Sequence, residues 1–454
     1  MNLGLYSVVK NLIKYLYLKF VFYKIEKNGW ENIPDNKPII FAVTHPLMYV
    51  DAVVLGCSFN RPLHFITKST VFNTKFKRWL FGKMNMIPVV RKQDGPKGGK
   101  FSNKDMFINC IKTLEQNNCI LIFSEGTSIW ERKLRELKTG TARIALEAEN
   151  ENDFNLGVHI VPVALNYTYV TSYFPSVSID VAPAIDVHQY KEQFKENPSL
   201  VAKEITTTIR ERILERYFTI EDSSHEDLIK DAVVMYNETP KEGWSRKNSL
   251  KKYFDRLIAA EHIIQNTKDQ STLNALKENI INYNHQLKKR KIQDFSLWKT
   301  RVSWTAPITL LLRMALHLVV LPIQVSSWLF NYVPYKFSKF LAQKTSKEVE
   351  VWGANLIVFL AFFFSITYLI TIGVIHYFYP LSWWVRIVLL VLFPFFTYVS
   401  FFMHETQKKL FSDVRLAYLS YNKKNEFNSI ATLRERIISD INTIIEATED
   451  EEKI

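Results

Sequence analysis

Apolar positions along the chain change their spacing from segment to segment, and each change predicts a different element. In residues 5–23, Leu5, Val8, Val9, Leu12, Ile13, Leu16 and Phe20 recur every three or four positions, the signature of one helical face. Lys10, Lys14, Lys19 and Lys24 interrupt this run and no small-residue cleavage site follows it, so it is neither a clean signal peptide nor a clean span. Residues 1–28 are therefore expected to form a basic amphipathic helix lying in a membrane interface, with lysine stems reaching the headgroups. A helix packed on its own domain is the alternative.

From Gly29 onward, short apolar runs alternate with helical stretches. Pro38–Val43, Cys119–Phe123, His159–Leu165 and Ser176–Val181 read as strands, while Lys104–Gln116 and Thr139–Glu149 carry helical spacing. This alternation predicts an α/β domain over 29–220 with a mostly parallel central sheet, where catalytic groups gather at strand ends. Residues 221–302 read as a charged helical connector ending in the basic run Lys288-Lys289-Arg290-Lys291.

The region 303–403 is strongly apolar. Residues 306–330 carry Arg313, His317, Pro307, Pro322 and Gln324, which suit a re-entrant or interfacial segment better than a lipid-facing span. No Asp, Glu, Lys or Arg occurs from Val351 to Val385. Transmembrane helices are expected near 353–379 and 382–403, joined by an aromatic turn around Pro380. That turn lacks Lys and Arg, whereas 331–350 holds Lys336, Lys339, Lys344 and Lys347, and the charged tail 404–454 opens with Lys408, Lys409 and Arg415. The positive-inside rule then places both basic segments, and the α/β domain, in the cytosol.

Composition narrows the function classes. The 454 residues are 47% hydrophobic and 14% aromatic, which excludes a disordered chain, and 13 Gly with 16 Pro exclude a collagenous or linker-like one. Cys57, Cys110 and Cys119 form no metal or disulfide spacing and read as core residues. A net charge of +13 asks for an anionic partner. Apolar runs hold the aromatics, so a membrane fits and nucleic acid does not.

Candidate chemistry follows the strand ends. His45 comes just after a buried strand, with Asp51 six residues on, the pairing of a general base with the carboxylate that orients it. Arg91 ends the run Met86-Ile87-Pro88-Val89-Val90, and its fork suits phosphate oxygens. In Ser124-Glu125-Gly126-Thr127-Ser128, glycine permits close approach, and hydroxyls with loop N–H groups can hold an oxyanion or a phosphate. Lys138 opens the next helix, whose N-terminal dipole favours the same charge. Pro162, inside an apolar run, suits an edge or a strand end better than a central strand. No nucleophile elbow, zinc motif, P-loop or dinucleotide fingerprint occurs.

In this order and spacing, the blocks resemble the phospholipid/glycerol acyltransferase family, over about residues 25–190. The resemblance implies an α/β acyltransferase domain, followed here by the helical connector and the transmembrane helices. It places the general base on His45 with Asp51. Acceptor binding falls on Arg91, Glu125, Gly126 and Thr127, and Pro162 lies on the acyl-donor side; Lys68 and Lys138 sit where relatives often carry basic residues. Two departures stand out. Five residues separate His45 from Asp51 where the family usually has four, and Ser124 replaces a proline.

The implied enzyme is a membrane-bound, multi-pass glycerolipid O-acyltransferase of phospholipid synthesis, its active site facing the cytosol. It would move a fatty acyl group from acyl-CoA or acyl-carrier protein, as co-substrate, to 1-acylglycerol 3-phosphate, with no cofactor and no metal. The alternatives are a glycerol-3-phosphate acyltransferase, a lipid hydrolase or remodelling enzyme using the same pair with water, and a non-enzymatic membrane scaffold.

Overall fold

The computed structural model describes residues 3–18, 21–90, 103–168, 175–237, 249–267, 269–299 and 306–451. They fall into two compact units, residues 1–219 with 341–359, and residues 220–340 with 360–454.

The first unit is built on an eight-stranded sheet. Its strands are β1 (Lys24–Asn28), β2 (Ile39–Val43), β3 (Leu63–Lys68), β4 (Met86–Val89), β5 (Cys119–Phe123), β6 (His159–Tyr167), β7 (Ser176–Val181) and β8 (Ile185–Asp186). Their order is β1-β7-β6-β2-β5-β3-β4, with β8 also paired to β6. All pairings are parallel except those of β6 with β7 and β8. The helices are α1 (Leu3–Leu12, continued by a π-helical turn Ile13–Leu18), α2 (Tyr49–Ser58), α3 (Lys75–Lys83), α4 (Asn103–Glu115), α5 (Gly140–Glu151), α6 (Lys191–Glu196) and α7 (Pro198–Leu214).

Strand alternation divides the core in two. Ile40 and Ala42 face a layer made with α4, α5 and α7, while Ile39, Phe41 and Val43 face the layer that holds Val54 and Leu55 of α2. Covering both faces is what a parallel sheet requires, and it explains why β2 and β5 read as unbroken apolar runs. Tyr6, Leu18 and Phe22 of the N-terminal segment are buried in the second layer, yet Val8, Leu12 and Tyr15 are exposed. One face of that segment is thus committed to its own unit.

Pro162 corrects an expectation. It lies in β6, an interior strand, in register with Ala42 of β2. The strand tolerates it because its other neighbour changes there: β7 pairs with 163–167 and β8 with 159–160. The missing N–H falls in the gap, and the Pro162 carbonyl still accepts from Ala182 N at 2.9 Å.

The second unit is helical. It comprises α8 (Glu226–Asn237), α9 (Leu250–Asn266), α10 (Gln270–Arg290), α11 (Asp294–Lys299), most of α12 (Ala306–Thr345) and α13 (Val349–Phe378), α14 (Trp383–Asn422) and α15 (Lys424–Glu451). The charged connector packs with the tail: Leu228, Leu276, Ile280 and Tyr283 share one core with Ile430, Ile437 and Ile441. Arg434 anchors it through a pair with Asp294 at 2.7 Å.

Among the described residues, three helices are long and apolar enough to cross a membrane, over 310–345, 349–378 and 383–422. Two of them overlap the segments 353–379 and 382–403. The third arises because the segment 306–330 runs on without a break to Thr345, through Pro322 and Pro334. Where the three meet, Asn331 donates to Thr397 Oγ1 at 2.9 Å and accepts from the Tyr368 hydroxyl at 3.0 Å. Arg313 pairs with Asp413 at 2.5 Å.

Candidate active site

β2, β5 and β3 are parallel, so the segments following Val43, Phe123 and Lys68 emerge at one edge of the sheet. His45 stands there, two residues beyond β2. Its ring stacks on Phe123, the last residue of β5, at a centroid distance of 3.7 Å. Nδ1 lies 2.9 Å from Asp51 Oδ2. With Nδ1–H donating to that carboxylate, Nε2 is the nitrogen left to take a proton.

Asp51 is fully buried in the first turn of α2, where the helix N-terminus favours a negative charge. Its Oδ2 also accepts from Leu47 N at 2.8 Å, and its Oδ1 accepts from the Tyr167 hydroxyl at 2.8 Å. Burial, then the neighbouring Asp51 charge, pushes the Tyr167 hydroxyl well above its ordinary pKa, so it remains a donor. The five-residue interval between His45 and Asp51 is absorbed by Met48, whose φ of 48° turns the chain just before α2. Ser128 Oγ holds the Met48 N–H at 2.8 Å.

Glu125 ties the next loop to this one. Its Oε1 accepts from His45 N at 3.0 Å, and its Oε2 accepts from Arg135 N at 3.3 Å. Burial raises its carboxyl pKa, and those two backbone N–H groups oppose the shift. Ser124, in the place of the family's proline, bonds to Thr141 Oγ1 at 3.0 Å and fixes the start of α5. Gly126 has φ 72°, and the Lys138 side chain lies against it: an added Cβ would stand 2.7 Å from Nζ. The positive φ favours glycine here, and any larger side chain would also displace the Lys138 end.

The fold therefore joins His45 to Asp51 through its ring and to Glu125 through its backbone N–H, and lays Lys138 over Gly126, with Thr127 in the same loop. Lys68 ends β3 at the same edge and is exposed. Pro162 sits in the sheet beside Ala42, near the end of β2. Arg91 lies outside the described residues; the last described residue before it, Val90, donates its N–H to Asn103 Oδ1 at 3.1 Å. Tyr167 and Phe123 escaped sequence reasoning. Each closes an apolar strand, where an aromatic is ordinary, and Tyr167 is 116 residues from Asp51. A cavity of about 660 Å³ between α4, α5 and α7 is lined by Lys104, Phe107, Arg143 and Ala202 among others, and none of His45, Asp51 and Glu125 lines it.

A His–Asp pair at the carboxyl edge of a mostly parallel α/β sheet is an arrangement suited to proton transfer. Residues 24–166 match the family model described as Acyltransferase. The match contains His45, Asp51, Glu125, Lys138 and Pro162, in agreement with the resemblance carried by the motif blocks. Among solved structures, the chain is similar to the 1-acyl-sn-glycerophosphate (LPA) acyltransferase PlsC from Thermotoga maritima, at 20% identity and a TM-score of 0.32, over 45% of this chain and 80% of that one. No curated protein matches.

Proposed function

We propose that the chain is a membrane-bound O-acyltransferase that transfers a fatty acyl group from acyl-CoA or acyl-carrier protein to the free hydroxyl of 1-acylglycerol 3-phosphate. The observation that carries this reading is the Tyr167–Asp51–His45 chain of hydrogen bonds, at 2.8 and 2.9 Å, inside the acyltransferase-family segment. His45 Nε2 takes the acceptor's hydroxyl proton as the alkoxide oxygen attacks the thioester carbonyl. Asp51 orients the ring and stabilises the imidazolium. The Thr127 hydroxyl and the loop N–H groups of 124–128 not engaged elsewhere are the donors assigned to the developing oxyanion. Collapse breaks the carbon–sulfur bond, and the imidazolium returns its proton to the leaving thiolate. Arg91, Lys68 and Lys138 supply positive charge for the acceptor phosphate, Glu125 with Gly126 and Thr127 shapes its loop, and Pro162 lies on the donor side. The basic segments 331–350 and 404–415 favour a cytosolic active site.

Thiol release from acyl-CoA in membranes carrying the chain tests this. Release should require 1-acylglycerol 3-phosphate, and His45→Ala should abolish it at unchanged membrane content and helicity. Asp51→Asn should be nearly as severe. Release without acceptor would make the enzyme a hydrolase, and preference for glycerol 3-phosphate would move the reading to that acceptor. A near-normal His45→Ala rate would remove the general base.

A further inference from the structure

None of the nine residues of helix α3 is buried. Its sequence, Lys75-Phe76-Lys77-Arg78-Trp79-Leu80-Phe81-Gly82-Lys83, places Phe76 and Trp79 one turn apart, with their rings 6.0 Å from one another. Phe76 is 66% exposed and Trp79 55%, so this pair of large rings is presented to the surroundings and not to the core. The inner side is held in place by Phe81, whose ring meets Phe72 edge-on at 5.5 Å, and by Arg78, which donates to the Phe72 carbonyl at 3.3 Å. Thr74 caps the N-terminus by accepting from Lys77 N at 3.1 Å. A rigid, well-anchored helix therefore offers two aromatic rings flanked by lysines.

Charge selects the partner. From Ala52 to Val90 the chain has no Asp or Glu, while it has Arg61, Lys68, Lys75, Lys77, Arg78 and Lys83. Among the described residues no carboxylate pairs with Lys75, Lys77 or Lys83. Tryptophan and phenylalanine beside lysine are the side chains that settle at the boundary between headgroups and acyl chains, the ring below and the ammonium above. Arg61 and Arg78 are engaged by backbone carbonyls; a protein partner for the remaining lysines would have to bring a matching acidic surface, whereas an anionic leaflet supplies one at each position. Position supports the same choice. The segment 69–83 connects the parallel strands β3 and β4, so α3 starts just past the carboxyl end of β3, on the sheet edge that holds His45.

We propose that α3 is a lipid-docking helix, with Phe76 and Trp79 inserted at the headgroup boundary of an anionic leaflet and Lys75, Lys77 and Lys83 set against its phosphates. This is independent of the acyl-transfer reading, because it concerns only which surface of the first unit rests on the bilayer. It is also separate from the apolar helices beyond residue 306, which hold the chain in the membrane without fixing how this surface faces it.

A depth measurement on the full chain decides it. Phe76→Cys carries a nitroxide in vesicles of phosphatidylcholine alone or with phosphatidylglycerol; the three native cysteines are buried and are left unlabelled under native conditions. In phosphatidylglycerol vesicles, the label should be shielded from an aqueous nickel reagent and reached by oxygen, with the accessibility ratio changed several-fold against a label at exposed Glu204 of α7. Phosphatidylcholine vesicles, or Lys75→Glu with Lys77→Glu, should remove most of that shielding. A label at 76 that stays as aqueous as one at 204 in phosphatidylglycerol vesicles would overturn the proposal. Equal shielding in both vesicle types would do the same, as would spin–spin broadening between copies, which would make the partner a second chain.

Discussion

At the scale of single residues, Tyr167 carries the sharpest consequence. Its hydroxyl is the hydrogen-bond donor that meets Asp51 Oδ1, while Leu47 N and the His45 ring meet Oδ2. Tyr167→Phe keeps the ring in its packing and removes only that donor from a buried carboxylate. A hydrogen bond to a charged group is worth about 1.5–3 kcal/mol, so we expect roughly a ten- to hundred-fold loss in kcat with little change in either KM. A merely structural role would lower the unfolding midpoint and leave the rate per folded molecule intact, so the two measurements belong together. Gly126→Ala is the complementary case: it adds a methyl at positive φ against Lys138 and should impair both folding and rate. His45, Asp51 and the 124–128 loop were legible in the sequence because their residue types are informative wherever they occur at strand ends. Tyr167 was not, since its role depends on which strands pair and in what register. The extra residue between His45 and Asp51 was visible, but its accommodation by a left-handed Met48 was not.

Among the elements, strands β2, β5 and β7 and helices α4 and α5 follow the sequence reading closely, because strands buried on both faces and helices with a clear apolar stripe leave strong patterns. β1, β3 and β4 left weak ones. β1 (KIEKN) is an edge strand with no buried residue, and in β3 only Leu63 and Phe65 are buried. Pro162 misled because β6 reads as one strand but changes partners at its middle. The two core layers hold the cysteines, with Cys110 in one and Cys57 and Cys119 in the other. Burial pushes the Cys110 thiol up to about 12 and those of Cys57 and Cys119 up to about 11. Iodoacetamide at pH 8 should therefore modify none of them in the native protein, and all three on denaturation; rapid native modification at Cys110 would mean that the layer of α4 and α5 opens. In the second unit, Arg434→Leu would strand Asp294, which also accepts from the Tyr283 hydroxyl. We expect a loss of about 3–5 kcal/mol in stability, read by thermal unfolding in detergent. An unchanged midpoint would show that the pair contributes nothing.

For the whole molecule, the feature with the widest consequence is the core in which connector and tail are joined. Leu228, Leu276 and Ile280 precede the apolar region and Ile430, Ile437 and Ile441 follow it, yet they pack together. Ser296 also donates to Asp413 at 2.6 Å, tying α11 to the far end of α14. A chain that leaves a body on one side of a bilayer and returns to that same body has passed through the bilayer an even number of times. Among the described residues three helices qualify by length and composition, so we expect that one of them does not cross. The helix expected not to cross is α12, which carries Arg313, His317 and Gln324 and two interior prolines, whereas α13 has an uncharged apolar stretch. Impermeant labelling of single cysteines reads this parity. Gln286→Cys and Tyr421→Cys should react from one face and Tyr379→Cys from the other; reaction of 286 and 421 from opposite faces would mean the joined core does not exist in the membrane. Parity of this kind also constrains evolution: the apolar region can gain or lose crossing helices only in pairs without tearing connector from tail.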